Sequence, residues 1–447
     1  MQKVELLFSQ AKMANVDLEV EKEDIFSHTI QILLNHEDKE PNHGNLLPSS
    51  IFMVPSVFRD LSPVSFNPRL VSIGPLHKED TNLQVYEGQK VAFLHGLLGR
   101  LDSPIEETLK TCLGKVNTSA ERIRGCYAGM KIYTDVELTK MMVVDGCFIL
   151  ELILRYLEFE DSIWRNLLLT QYLIYDLILI ENQIPFFVLT DIFECTVMKF
   201  RPGTTLISLI YSVLNYVSLF DEDLNIDTID ENTTHDHILG ILRKSYQPTH
   251  AIPLSLTRVK NRTALELERA GVNFKTTQRA MWPLAITVEI SRFPSLSWCW
   301  GKPTLKMPLL RVNDFTEMVL RNLIAYEQCS GFPSYVTSYA VFMDMLVNTQ
   351  EDVAKLVESD VVDNFLGSNE DAANMINKIC NEVVIVDSVY FEQLELLDRY
   401  CNGYWPKNIA RLRRKYFTSP WNFIALLAAI ILFALTVIQT IFSIKAK

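Results

Sequence analysis

The sequence predicts a mainly α protein: a multi-helix globular body with a few short β elements, plus one C-terminal transmembrane helix. Three observations carry this reading. Of 447 residues, 48% are hydrophobic and 21% charged, the balance of a chain that buries a large core. Gly and Pro number only 16 and 18, few enough to leave long helical stretches unbroken. One apolar segment, residues 421–444, runs 24 residues without a charge, enough to cross ~30 Å of hydrocarbon at ~1.5 Å per residue.

Residues 1–45 read as a polar N-terminal arm with one short apolar stretch at 24–34. The N-terminal helical part follows over 46–220. Its first section is interrupted by Pro55, Pro63, Pro68, Gly74 and Pro75, which predicts an extended and turning segment, rather than a helical one, wrapped on a helical core. Helical spacing then predicts helices over 86–98, where Glu87 can pair with Lys90, and over 138–156. The run 163–195 is apolar enough to resemble a span, but Asp176, Glu181, Asn182 and Pro185 interrupt it. Charges are expensive in lipid, so a buried helix is the expectation.

Residues 221–237 hold seven carboxylates and read as an acidic linker. The C-terminal part, 238–406, begins with β-leaning pieces at 286–290 and 305–312. Asp314-Phe315-Thr316-Glu317 reads as an acidic capping box opening a helix in which Glu317 and Arg321 lie one turn apart. Helices are expected over 334–348, 352–357, 370–380 and 388–397. A basic segment, 407–420, carries Lys407, Arg411, Arg413, Arg414 and Lys415 into the apolar one.

In that apolar segment Trp421, Phe423, Leu426, Ile430, Phe433, Ile438 and Ile441 would face the lipid bilayer. The N-terminus lacks the long apolar stretch of a cleavable signal. The expectation is therefore a tail-anchored, single-pass membrane protein whose body stays in the cytosol, at the plasma membrane or an endomembrane. Ala425 and Ala429 make a small-xxx-small step that could pair two copies as a homo-oligomer, although alanine is common in membrane spans without pairing.

The formal charge is −12, and seven of the 42 basic residues flank the apolar segment, so the rest of the chain is more acidic still. Such an acidic body has no electrostatic footprint for phosphate backbones, so no nucleic-acid partner is expected. The eight cysteines form no Cys-x-x-Cys pair, and no phosphate-cradling loop, His-Glu-x-x-His pair or nucleophile elbow is present. His235 and His237 flank Asp236, but two ligands do not make a metal site. The expectation is no enzyme, no metal and no cofactor. Asp145, Asp176, Glu181, Asn182 and Glu327 stand among apolar residues and must find partners inside the fold. Trp298 and Trp300, bounded by Pro294 and Pro303, are candidate interaction residues or else a core plug, and His77 after Gly74-Pro75 either anchors a turn or faces a partner.

Several ordered blocks are distinctive together: Val54-Pro55, Asn67-Pro68-Arg69-Leu70-Val71-Ser72-Ile73-Gly74-Pro75-Leu76-His77, Met141 through Asp145-Gly146-Cys147-Phe148, and Glu181-Asn182-Gln183-Ile184-Pro185-Phe186. With Glu268 through Val272, Arg321 through Cys329, and Tyr416-Phe417 to Pro420-Trp421, they resemble the plant family catalogued as domain of unknown function 247. The resemblance spans roughly 51–443, with Phe66, Leu76 and Lys78-Glu79-Asp80 departing from its usual pattern. It implies a single-pass plant membrane protein without established catalysis. Because some grass members take part in self-incompatibility, it also implies recognition or signalling through an unknown protein partner. Two alternatives differ in class: a membrane-active, pore-like oligomer drawing on the run at 163–189, and an enzyme of unrecognised type.

Overall fold

The computed structural model describes residues 49–158, 166–221, 224, 234–250, 252, 261–277, 282–290, 303–385, 387–403 and 420–445. The expected N-terminal arm, most of the acidic linker, Trp298, Trp300 and the five cations Lys407 to Lys415 lie outside them, as do the side chains of Trp421, Phe423 and Leu426. All described residues beyond Ser49 belong to one compact unit, Ser50–Lys447.

The first section is extended only in part: it turns repeatedly, with a 3-10 turn at Pro63–Ser65, before residues 67–75, which lie in no helix or strand. β1 (Ile51–Phe52) and a short turn of helix α1 (Ser56–Arg59) lead into it. Helices then follow: α2 (Val85–Leu98), α3 (Ile105–Asn117), α4 (Ala120–Gly125), the two-residue strand β2 (Tyr127–Ala128) and the long α5 (Asp135–Leu157). After it come α6 (Leu167–Asp176), α7 (Phe186–Cys195), α8 (Val197–Phe200), α9 (Leu206–Val217), α10 (Ile238–Ser245) and α11 (Ala264–Ala270). The β-leaning pieces form a sheet of β3 (Asn273–Thr276), β4 (Thr287–Ile290) and β5 (Pro303–Met307), in the order β3-β5-β4, with β3 parallel and β4 antiparallel to β5. β6 (Leu310–Val312) pairs in parallel with β7 (Val362–Asn364). Between and after these lie α12 (Thr316–Ser330), α13 (Tyr335–Leu346), α14 (Gln350–Glu358), α15 (Asn369–Ile379), α16 (Phe391–Cys401) and α17 (Pro420–Lys445).

Helix α5 is the hub of the first half and packs against α2, α3, α7 and α9. Its start is fixed by a capping box in which Thr134 accepts from the Glu137 amide and Glu137 accepts from the Thr134 amide. Gly146 sits where α7 crosses it: a Cβ there would lie 2.3 Å from Cδ1 of Ile192. In the second half α12, α13 and α15 pack together, and α14 joins α11 to α15. One apolar cluster runs from Ile51 to Cys401, so both halves share a core.

Two local expectations change. The apolar run 163–195 is two helices, α6 and α7, separated by a link at 177–185 whose polar side chains are engaged in hydrogen bonds. The box expected at Asp314 is absent: Phe315 is the N-cap, and Asn313 accepts from the Phe315 amide at 2.9 Å while Thr316 Oγ1 accepts from the Asn313 amide at 2.8 Å. The Glu317–Arg321 pair forms at 2.7 Å.

The transmembrane expectation is corrected. Helix α17 occupies the apolar segment, with Ile430, Phe433, Ile438 and Ile441 exposed. Among the described residues, however, no helix is long and apolar enough to cross a membrane. The single-pass C-terminal anchor, and the tail-anchored localisation built on it, are therefore unsupported.

Candidate functional site

The polar residues singled out in the sequence converge on one extended strap, residues 67–77. Pro68 and Pro75 keep it out of helix, and an extended segment with no strand beside it must find acceptors for its amides. Side chains supply them. Asp176, at the end of α6, accepts from the backbone N–H groups of Arg69 (2.9 Å), Leu70 (2.8 Å) and Val71 (3.0 Å). Asn182 continues the series, accepting from the Ile73 amide at 2.6 Å and donating to the carbonyls of Val71 (3.0 Å) and Asp176 (2.9 Å).

At the next residue the acceptor is Asp145 of α5, which takes the Gly74 amide at 2.8 Å. Gly74 has φ +75°, and a Cβ there would stand 2.5 Å from the carbonyl oxygen of Gln183, so only glycine fits. Asp145 also binds the ammonium of Lys90 at 2.7 Å, and Lys90 reaches Glu87 at 2.7 Å. Glu181 holds the segment after β1 by accepting from the Val54 amide at 2.6 Å and from Arg59. Its other oxygen meets Nε2 of His77 at 2.9 Å, while Nδ1 of His77 meets Asp80 at 2.7 Å. His77 is thus buried between two carboxylates.

Glu327, on α12, does the same work in the second half. It accepts from the amides of Val336 (3.1 Å) and Thr337 (2.8 Å) and from the Thr337 hydroxyl (2.7 Å). A carboxylate is thereby placed on the N-terminus of α13, where the helix dipole favours it. Arg243 approaches Glu327 at 3.4 Å and donates to the Pro333 carbonyl at 2.8 Å. His237 caps α10: Nδ1 accepts from the Gly240 amide at 3.1 Å, which leaves Nε2 to donate to the Ser50 carbonyl at 3.1 Å. Both ring nitrogens are in use.

Burial sets the protonation of these groups. It raises the Asp176 carboxyl to about 6 against the pull of its three amides. It lowers the His237 imidazole to about 4, consistent with a neutral ring that accepts at Nδ1. Burial would lower His77, but Glu181 and Asp80 outweigh it and hold the ring above its ordinary value. For Lys90 burial is likewise outweighed, by Asp145 and Glu87. Burial also pushes the Asp145 carboxyl up, against Lys90. Both of its oxygens accept from N–H donors, so the ionised pair is the state the geometry supports.

A small apolar cavity between α12, α13 and α15 is lined by Leu320, Tyr339, Met343, Met375, Ile376 and Ile379 among others, and Asp145, Asp176, Glu181 and Glu327 do not border it. Every described cysteine is a free thiol, and among the described residues no group of three metal-ligating side chains converges. Several residues of the seam escape sequence reasoning. Lys90 reads as one end of a surface pair with Glu87, yet it is fully buried; its place one turn from Leu94 on the apolar stripe is the signal that could have found it. Asn322 accepts from the Ile180 amide at 2.9 Å and donates to Ser65 at 2.6 Å, joining the two halves. Nothing in its local pattern marks that role.

Comparison with known proteins places this architecture. A UPF0481 protein of Arabidopsis thaliana is 27% identical over 416 residues, covering 87% of this chain and 85% of its own. A putative UPF0481 protein of the same plant is 24% identical over 489 residues, covering 87% and 89%. No solved structure matches. The pattern of the family described as a plant protein of unknown function matches residues 51–435. All the sequence blocks that meet in the seam lie inside that span, and the chain belongs to this plant family, domain of unknown function 247.

Proposed function

We propose that the chain acts without catalysing a reaction, by binding another protein in a recognition or signalling step. The supporting observation is the engagement of its interior charges. Asp145, Asp176, Glu181 and Glu327 each accept hydrogen bonds from the chain's own donors. A general base must instead face the proton it removes, whereas these carboxylates fasten a strap and a helix end. With the interior so occupied, function falls to the surface, and the net charge of −12 disfavours nucleic acid. The pore-like alternative loses its footing, since residues 173–180 and 188–189 of the apolar run are buried in the core.

The test is cross-linking of the tagged full-length chain in plant tissue, identification of the attached proteins, and reconstitution of each pair from purified components. A partner that binds the purified chain saturably supports the proposal. Failure of every cross-linked protein to bind on reconstitution, together with turnover of any metabolite by the purified chain, would sink it.

A further inference from the structure

Most arginines of the described chain meet a carboxylate: Arg59 on Glu181, Arg124 on Asp135, Arg262 on Asp398, Arg321 on Glu317 and Arg399 on Glu395. Arg69 does not. Its backbone amide is tied to Asp176 at 2.9 Å, but its guanidinium lies over aromatic rings, with Cζ 5.1 Å from the centre of Tyr172 and 5.9 Å from that of Phe315. Those rings meet edge to face at 5.6 Å, and Phe315 is stacked on Tyr175 at 3.9 Å. Arg69 is exposed, and among the described residues its guanidinium has no ion-pair partner. Its charge is felt by Asp176, whose oxygens are taken by three amides.

This arrangement has the properties of a binding hot spot. Stacking holds the fork of N–H donors in place before a ligand arrives, so less side-chain entropy is lost on binding. One turn before Tyr172 on α6, Leu168 is 60% exposed, and Leu167 beside it is 59% exposed. An unpaired guanidinium positioned over half-buried Tyr172, one helical turn from exposed Leu168, calls for a carboxylate next to an apolar side chain. A phosphate site would gather several donors, and among the described residues Arg69 is the one cation seen over these rings. The overall acidity of the chain does not oppose this, because salt screens charges beyond about 8 Å.

We infer that Arg69, Tyr172 and Leu168 form a docking surface for a segment of a partner protein that presents an Asp or Glu side chain beside an apolar one. The inference rests on the protein-binding reading above and specifies the partner's chemistry.

To test it, the purified full-length chain is panned against a random-peptide library, and enriched peptides are synthesised and titrated. Enriched sequences should pair an acidic residue with Leu, Met or Phe, and Arg69→Met, which keeps the apolar contact with Tyr172, should weaken binding about tenfold or more. Arg69→Glu should abolish binding and regain it toward a peptide carrying Lys in place of its acidic residue. Arg122→Met is the matched control, since Arg122 is also exposed and stacked, on Phe187 at 3.7 Å, with no exposed leucine in α4; it should leave binding unchanged. Unchanged melting temperatures exclude misfolding. Peptides that bind Arg69→Met as well as the parent chain would overturn the docking surface while leaving the protein-binding reading intact. Failure to enrich any acidic peptide would also overturn the surface, and the reconstitution of cross-linked pairs would then decide the wider reading on its own.

Discussion

Lys90 and Asp145 meet at 2.7 Å with no part of either side chain exposed. Their contact couples α2 to α5, and the second oxygen of Asp145 holds the strap at Gly74. Burying two charges is favourable only while each keeps its partner. Lys90→Met should therefore lower stability by about 3–5 kcal/mol, because Asp145 is left buried with a single neutral donor. The double substitution Lys90→Met with Asp145→Leu removes both charges and leaves the Gly74 amide unpaired, a loss of about 1–3 kcal/mol. Urea unfolding should find the double variant more stable than Lys90→Met alone. Additive losses would mean that the two charges do not interact.

The two glycines at close approaches separate backbone strain from side-chain crowding. At Gly74 the positive φ and the fixed Gln183 carbonyl leave a Cβ nowhere to go, so Gly74→Ala should lose at least about 3 kcal/mol or fail to fold. At Gly146 the obstruction is the Cδ1 methyl of Ile192, which can rotate away. Gly146→Ala should lose about 1–3 kcal/mol, the range for overpacking. Thermal unfolding of the two variants ranks them, and a reversed ranking would contradict the crossing of strap and link described here.

How much of this was legible beforehand divides along the range of the interactions. Helices such as α2 and α5 announce themselves through apolar spacing, and prolines mark the strap as extended, since both signals are local. That Asp145, Asp176, Glu181 and Glu327 need partners follows from their apolar surroundings, but who those partners are does not. Asp176 lies more than a hundred residues from the amides it accepts, a pairing that no spacing encodes. The docking arginine was hidden for the same reason: Arg69 reads as one letter of a block until Tyr172 and Phe315 are folded beneath it. The apolar tail shows the opposite failure, where composition alone gave a membrane span that the described helix does not support.

Asp176 gives a pH signature. Its folded value of about 6 lies above that of an unfolded aspartate, near 3.9. The folded chain therefore holds this proton more tightly, and the stability contribution present below about pH 4 is lost as pH rises through about 6, some 2–3 kcal/mol in all. Asp176→Asn removes the titration and turns an N–H group toward amides that need an acceptor. The variant should be less stable than the parent, and the gap between them should narrow as pH rises from about 4 to about 7. Urea midpoints across that range measure it, and a gap that widens with pH would show that the carboxylate is ionised throughout.

His77 should behave in the same direction but over a higher window. Its two ring nitrogens face Asp80 and Glu181 at 2.7 and 2.9 Å, and only the imidazolium carries a proton on both. Because those carboxylates hold the ring above its ordinary value, its contribution is complete below about pH 6.5 and is lost as pH rises through the raised value. The size of the loss follows from what each carboxylate keeps. Glu181 retains Arg59 and the Val54 amide, whereas Asp80 is 45% exposed and can turn to water. A modest loss of about 1–2 kcal/mol is expected. The stability gap between the parent chain and His77→Gln should shrink as pH rises above about 6.5 and through the raised value, and NMR of the ring should show both nitrogens protonated at the lower end. A gap independent of pH would mean a neutral ring that donates to one carboxylate only, with Asp80 free in solution.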